Sequence, residues 1–308
     1  MHNNKNPLIS AIILSYNTRD ITLRCLDSLK KSIEFLDKPV EIIVVENGND
    51  GTANVIRKKY PWVKLIEPKE NTGYARGNNL ALKYVDSEAK YVLVLNSDVM
   101  VKSETLAKSI EFMEANSSCD VLGCRLVYGD GTFQPSGGFL PTPFSVFTWI
   151  MGIDLIPFTS KIFKPFHLKN SKNFYTRELD WVMGAYLFMK HEVVKKTKGL
   201  DENLFMYMEE VEWCKRIKDA GFKIYYSSDF SVTHLDKSSS KSDPQKLAKI
   251  AKDEILGVIY FLKKFYQSKY NLVLNFIKFG LYLRIFAFFI IQNKTRQKTY
   301  QEVLKSLV

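Results

Sequence analysis

Apolar residues fall in short blocks along the chain, and several blocks end in polar side chains. The blocks are "LISAIILSYN" (8–17), "VEIIVVENGNDGT" (40–52), "VKLIEPKENTG" (63–73) and "YVLVLNSDVMV" (91–101). Between them, 22–33 carries leucines at 23, 26 and 29 with charges interspersed, which predicts an amphipathic helix. Residues 52–60 and 75–85 also read as helices. The resulting βαβαβαβ order, with near-continuous apolar strands, predicts an α/β fold: a mostly parallel central sheet with helices on both faces. In such sheets ligands bind beyond the carboxyl ends of the strands. Ser15-Tyr16-Asn17, Glu46-Asn47 and Asn96-Ser97-Asp98 are therefore expected along one edge, as a candidate site.

Residues 128–180 mix Gly, Pro and aromatics ("YGDGTFQPSGGFLPTPF") and suit either a lid over that edge or a strand pair with long connections. "WVMGAYLFMK" (181–190) reads as a strand, followed by a short helix and a turn at Gly199. A helix from about Glu209 to Ala220, stopped by Gly221, and a final strand "KIYYS" (223–227) complete the pattern. "KSSSKS" (237–242) reads as a solvated linker.

After the linker, 246–266 is amphipathic, with Leu247, Ala251, Ile255, Val258, Ile259, Leu262, Phe265 and Tyr266 on one face. The next stretch, 270–292, approaches the length of about 20 residues needed to cross a bilayer, but Lys278 and Arg284 interrupt it. A central cation costs at least about 2.5 kcal/mol on insertion scales. A helix lying in the headgroup region of an anionic membrane is expected, with Lys and Arg facing the lipid. The alternatives are a helix that spans the bilayer, or a helical pair packed on the α/β domain or in a homodimer.

Charge sharpens this division. The 308 residues carry a net +11, but Lys237 onward holds 14 Lys/Arg against 4 Asp/Glu, leaving +1 for everything before it. Basicity confined to a tail argues against a nucleic-acid-binding surface over the whole protein. Composition is ordinary for a globular chain, at 46% hydrophobic and 25% charged. The four cysteines show no CxxC or zinc spacing and read as reduced, buried thiols. The N-terminal apolar run is too short for a signal peptide and reads as the first strand of a cytoplasmic protein.

Candidate chemistry gathers at the polar clusters. Asp98 at a strand end could hold Mg²⁺ or Mn²⁺, with Asn96 or Ser97 assisting; the competing reading is a plain turn. Glu209, Glu210 and Glu212 crowd one helix start. Three acids there cannot all be catalytic, so one or two are helix caps or ion-pair partners of Lys215 and Arg216. The apolar "LFMYM" before them would desolvate a carboxylate and favour a general base. His234 reads as a polar loop residue or as a metal or phosphate contact. "NTGYARGNNLAL" (71–82) opens a helix behind a glycine loop, a geometry that suits an anion, but it is neither GxGxxG nor a Walker A sequence.

Together, "SAIILSYN", "IIVVENGNDGT", "NTGYARGNN", "VLVLNSDV", "WVMGAYLFMK" and "GLDENLFMYMEEVEWCKR…GFKIYYSSDFSVTH" occur in the order seen in family 2 glycosyltransferases. From about Leu8 to Ser240 the chain resembles the rhamnosyltransferase-like branch. The resemblance implies a GT-A fold over 1–240, with 241–308 a basic amphipathic helical extension. It also implies a nucleotide-diphosphate sugar donor (dTDP- or UDP-linked), a divalent metal, a glycan or lipid-linked acceptor in cell-surface polysaccharide synthesis, and inversion at the anomeric carbon. Residue by residue, Ser15, Tyr16, Asn17, Glu46, Asn47, Gly73, Arg76, Asn78, Asn96 and Ser97 resemble donor-binding positions. Trp181, Gly184 and Ala185 resemble acceptor-side positions. Asp98 and His234 match metal positions, and Glu210, with Glu209 before it, matches the general base. Glu46, Glu210 and Asn96 stand where the family usually has Asp. A catalytically silent relative, binding a nucleotide sugar or a partner at the membrane, is the alternative. A nucleotidyltransferase would want a glycine-rich basic loop after the first strand, which "SYNTRD" does not supply.

Overall fold

The computed structural model describes residues 6–153, 164–204, 206–235 and 244–307. The linker read at 237–242, the division after residue 240 and Phe205 of the apolar "LFMYM" run lie outside these residues. The chain forms two compact units. One comprises Met1–Gly137, Lys169–Phe205 and Glu210–Asp236; the other comprises Gly138–Leu168, Met206–Glu209 and Lys237–Val308.

The first unit is built on a mixed sheet. Its opening half follows the pattern analysis: β1 (Ile9–Ser15), α1 (Arg19–Leu36), β2 (Val40–Glu46), α2 (Thr52–Lys59), β3 (Val63–Ile66), α3 (Gly73–Leu82) and β4 (Tyr91–Asn96). These strands lie parallel in the order β3-β2-β1-β4. Both sheet faces are buried: Ile9, Ala11 and Ile13 pack with Cys25, Leu26 and Leu29 of α1, and Ile12, Ile43, Val92 and Val94 are equally inaccessible. Register sets the polar endings side by side, with Ser15 opposite Glu46 and Leu14 opposite Asn96. The expected edge therefore exists.

Beyond β4 the sheet turns mixed. After β5 (Val99–Met100) and α4 (Thr105–Ala115) come β6 (Val121–Val127), β7 (Phe133–Gln134), β8 (Gly137–Gly138), β9 (Arg177–Leu179), β10 (Trp181–Val182), β11 (Tyr186–Lys190), α6 (His191–Thr197), α7 (Glu209–Asp219) and β12 (Ile224–His234). The order continues β4-β11-β6-β12-β5, with β11 antiparallel to both neighbours. Two expectations change. The single strand expected over 181–190 is broken at Met183-Gly184-Ala185 into β10 and β11. The final strand does not stop at Ser227. A register shift between Ser227 and Ser231 takes up Ser228, Asp229 and Phe230 as a bulge, and the strand runs on to His234. His234 therefore ends a strand and is not a loop residue. The helix α7 stops where expected: Gly221 has φ +90°, and Phe222 N–H donates back to Ile217 O.

One of the three crowded acids has a structural role. Glu212 is fully buried on α7 and is gripped by Arg216, with Nε–Oε1 at 2.8 Å and Nη2–Oε2 at 2.8 Å. The same guanidinium donates to Thr197 O and Gly199 O. This is the ion pair that the sequence suggested for one of these acids. All four cysteines are free and buried.

The second unit is helical: α5 (Pro143–Ile150), α8 (Pro244–Phe265), α9 (Tyr270–Ile290) and α10 (Lys294–Lys305). Thr142 caps α5 by accepting from Ser145 N–H at 3.1 Å, and Pro143 opens it. The stretch 128–180 thus supplies short strands and α5; within it, 154–163 is outside the described residues. The buried face of α8 is the expected one, with Ile255, Val258, Ile259 and Leu262, joined by Phe261. Arg284, expected to face lipid, instead donates to Ile150 O and Trp149 O, each at 2.8 Å.

Replacing Arg216 by Ala leaves the Glu212 charge buried without its guanidinium, and is expected to cost roughly 3 kcal/mol in urea unfolding. Arg216→Lys recovers only part of this, because one ammonium cannot reproduce the forked set of contacts.

Candidate functional site

Asp98 lies in the turn between β4 and β5. β5 pairs antiparallel with the end of β12, placing His234 opposite Val99, and Leu235 N–H donates to Asp98 O at 2.8 Å. This pairing brings His234 Nε2 to 3.2 Å from Asp98 Oδ1. On the far side of the ring, His234 Nδ1 lies 3.1 Å from Gln134 Oε1, and Gln134 is buried on β7. The amide oxygen can only accept, so Nδ1 donates to it, and Nε2 is left facing the Asp98 carboxylate, either as an N–H donor in an ion pair or as a lone pair that can share a cation with it. Two electron-rich atoms at that separation repel until a proton or a cation joins them. The proton of an ion pair or a divalent cation would each relieve that repulsion, so the two side chains are a candidate pair of metal ligands. Among the described residues, no group of three or more His, Cys, Asp or Glu is clustered as a metal cage.

Around this point the strand ends are stitched together. Ser97 Oγ is 3.4 Å from Thr18 Oγ1, which meets Thr22 Oγ1 at 3.0 Å; Thr22 in turn meets the buried Ser15 Oγ at 3.1 Å. Tyr16 and Asn17 are exposed. Asn17 adopts a positive φ of 50° and accepts from Asn49 N–H. Gly48 is required beside it, since a Cβ there would lie 2.4 Å from Asn17 Oδ1. Asn47 joins two loops, donating to Asn71 Oδ1 at 2.7 Å and accepting from Thr72 N–H at 2.9 Å. Gly73, with φ +75°, opens α3. Arg76 is exposed and 3.6 Å from Glu202, whereas Asn78 is buried and donates to Tyr74 O.

Glu46 is buried at the end of β2. One carboxylate oxygen accepts from Gly48 N–H at 2.9 Å, and Oε2 has no hydrogen-bond partner among the described residues. Burial raises its pKa above the usual 4.5, with hydrogen bonds from Ser15 and Gly48 opposing. Asp50, in the same loop, behaves oppositely. Burial pushes its pKa up, but hydrogen bonds from Thr52 and from Arg19 N–H win and hold it low.

Of the acceptor-side candidates, Gly184 lies beside Glu210. Gly184 lies in the turn between β10 and β11, where a Cβ would stand 3.0 Å from Tyr74 Oη and 3.6 Å from Glu210 Cβ. Tyr74 Oη donates to Asn96 Oδ1 at 3.0 Å, and Asn96 N–H donates to Ala185 O at 3.2 Å. A run of neighbours, Asn96–Tyr74–Gly184–Glu210, thus connects the end of β4 to the start of α7. Trp181 and Ala185 are buried, Glu209 is buried and Glu210 is half-buried. Tyr207 and Met208, just before α7, both have positive φ (64° and 76°), a strained backbone for non-glycine residues. In the helical unit, Gly257 of α8 faces Met208, where a Cβ would come within 2.8 Å of its Cγ.

The sequence profile of Glycosyl transferase family 2 matches residues 10–175. The chain belongs to this family. The glycosyltransferase is 25% identical over 252 residues to the N-acetylglucosaminyl-diphospho-decaprenol L-rhamnosyltransferase of Mycobacterium tuberculosis, covering 77% of this chain and 79% of that one. It is 22% identical over 247 residues to rhamnosyltransferase WbbL of Escherichia coli, covering 76% and 86%. Its similarity thus lies with the rhamnosyltransferase-like branch, as the motifs implied. Its fold is GT-A. The solved mannosyltransferase PcManGT of Pyrobaculum calidifontis, in complex with GDP-Man and Mn²⁺, superposes with a TM-score of 0.56 at 15% identity, over 98% of this chain and 87% of that one. Two residues of the candidate site escaped the sequence reading. Gln134 sits in a stretch without periodicity, and the place of Tyr74 depends on the missing side chain of Gly184.

The raised pKa of Glu46 has a stability consequence. Above that raised value the folded state carries a buried charge at a cost; the cost vanishes as pH falls to about 4.5, where the unfolded carboxyl also protonates. Glu46→Gln is therefore expected to melt above wild type at pH 8, with the gap closing toward pH 4.5 in thermal scans.

Proposed function

We propose that this glycosyltransferase is an inverting, metal-dependent enzyme. It would move a sugar from a dTDP- or UDP-linked donor to a hydroxyl of a glycan or lipid-linked oligosaccharide in cell-surface polysaccharide synthesis. Rhamnose is the favoured sugar, because both relatives compared above are named rhamnosyltransferases. The observation that carries the reading is the approach of His234 to Asp98 at the strand edge, joined through Asn96, Tyr74 and Gly184 to Glu210.

In this reading the acceptor hydroxyl gives its proton to the Glu210 carboxylate while its oxygen attacks the anomeric carbon. The bond from that carbon to the diphosphate oxygen breaks, and the nucleoside diphosphate leaves with the electron pair. Asp98 and His234 would hold Mg²⁺ or Mn²⁺, which when bound supplies positive charge for the departing diphosphate. The Mn²⁺ in the PcManGT complex is in keeping with that assignment. Gln134 keeps the His234 ring in the tautomer a ligand needs. Glu46 offers an unsatisfied buried oxygen to the base or ribose, with Ser15, Tyr16, Asn17, Asn47, Gly73, Arg76, Asn78, Asn96 and Ser97 shaping the donor side. Trp181, Gly184 and Ala185 shape the acceptor side, and Glu209 supports Glu210. The protein would work at the cytoplasmic face of the membrane as a peripheral enzyme.

A screen of nucleotide sugars for metal-dependent turnover tests this reading. Asp98→Ala and Glu210→Gln are each expected to abolish transfer, with Glu210→Gln still binding donor in calorimetry. Donor binding by the wild type without any turnover would favour the silent relative instead. Gln134→Leu is expected to weaken Mn²⁺ binding about tenfold, read by titrating the bound-ion paramagnetic signal.

A further inference from the structure

We propose that the outer face of α9 is a one-sided membrane-docking surface, lying in the plane of an anionic leaflet and inserted into it without crossing. The inference rests on the peripheral membrane location proposed above and adds how that contact is made.

Leu272, Phe276, Phe279, Leu283, Phe286 and Ile290 recur at alternating spacings of four and three, which lines them along one side of α9. They are exposed, from 37% at Phe276 to 62% at Phe286. A contiguous exposed aromatic and aliphatic strip of this length is a contact surface, not ordinary surface scatter. The opposite side is already committed. Val273, Ile277, Gly280 and Leu281 are buried, and Gly280 is needed there because a Cβ would lie 2.7 Å from Ile150 Cγ1.

The helix is long and apolar enough to span a bilayer. Spanning would require that inner side to leave α5 and Arg284 to give up both carbonyls it holds. One-sided insertion keeps every such bond. It also answers one of the two charges that the sequence set against this helix: Arg284 is bonded to Ile150 O and Trp149 O, on the side of the helix away from the strip.

The occupant follows from charge. Exposed Lys263, Lys264 and Lys269 precede the strip, and exposed Lys294, Arg296 and Lys298 follow it. Cations at both ends of an apolar face match anionic headgroups around an acyl interior. A second copy pairing through the same strip would bring together two tails of net +10.

The full-length protein should float with vesicles of phosphatidylglycerol and phosphatidylcholine, and far less with phosphatidylcholine alone. The double variant Phe279→Ser/Phe286→Ser should lose at least tenfold of the floated fraction with its melting temperature and donor hydrolysis unchanged. Lys269→Glu/Lys294→Glu should lose binding as well. Equal flotation of wild type and variants overturns the proposal. So does a dimer in sedimentation that fails to float, or protein in cell membranes that resists alkaline extraction. Flotation without donor turnover would leave docking standing and remove the enzymatic reading.

Discussion

The candidate site depends on a two-residue strand. β5 gives the sheet only Val99 and Met100, yet its pairing with the end of β12 is what makes Asp98 and His234 neighbours. Bringing together residues so far apart in sequence costs loop-closure entropy, which the whole sheet between them offsets. β4 delivers the turn, hydrogen bonds from Asn96 to Ala185 and from Leu235 to Asp98 hold it, and β7 supplies Gln134 from beside β6. The bulge in β12 matters for the same reason. Without the register shift at Ser227–Ser231, the side chain at 234 would not arrive where β5 meets it.

The parallel half of the sheet was legible in the sequence because its strands are buried on both faces. Such strands read as unbroken apolar runs, and their polar ends mark where the chain meets solvent. The mixed half was legible only in β11 and the start of β12. β5, β7, β8, β9 and β10 are two or three residues long, too short for any period to register. β6, with Gly123, Cys124 and Arg125 inside it, carries no clean run, although it lies between β11 and β12. β12 was read four residues in and then lost at its polar bulge. The same logic divides the site: Asp98, Glu46 and Glu210 stand out as acids at element ends, while Gln134 and Tyr74 matter through what they touch.

Acidic crowding at α7 is resolved by burial and pairing. Arg216 takes Glu212 and ties the helix to the backbone at Thr197 and Gly199, so the helix start is held by bonds that do not use Glu210. Glu46 is the counterexample: a buried carboxylate with one oxygen unmatched among the described residues, which makes it a local instability.

The strained turn at Tyr207-Met208 belongs to the same compact unit as the C-terminal helices, and Gly257 of α8 leaves just enough room for Met208 against it. Deleting the tail would strip away the surface on which that turn rests, and the next residues along the chain are Glu209 and Glu210. A shortened protein that loses function therefore says as much about the backbone leading into α7 as about the loss of the tail helices themselves. Domain-trimming experiments on this enzyme would conflate the two.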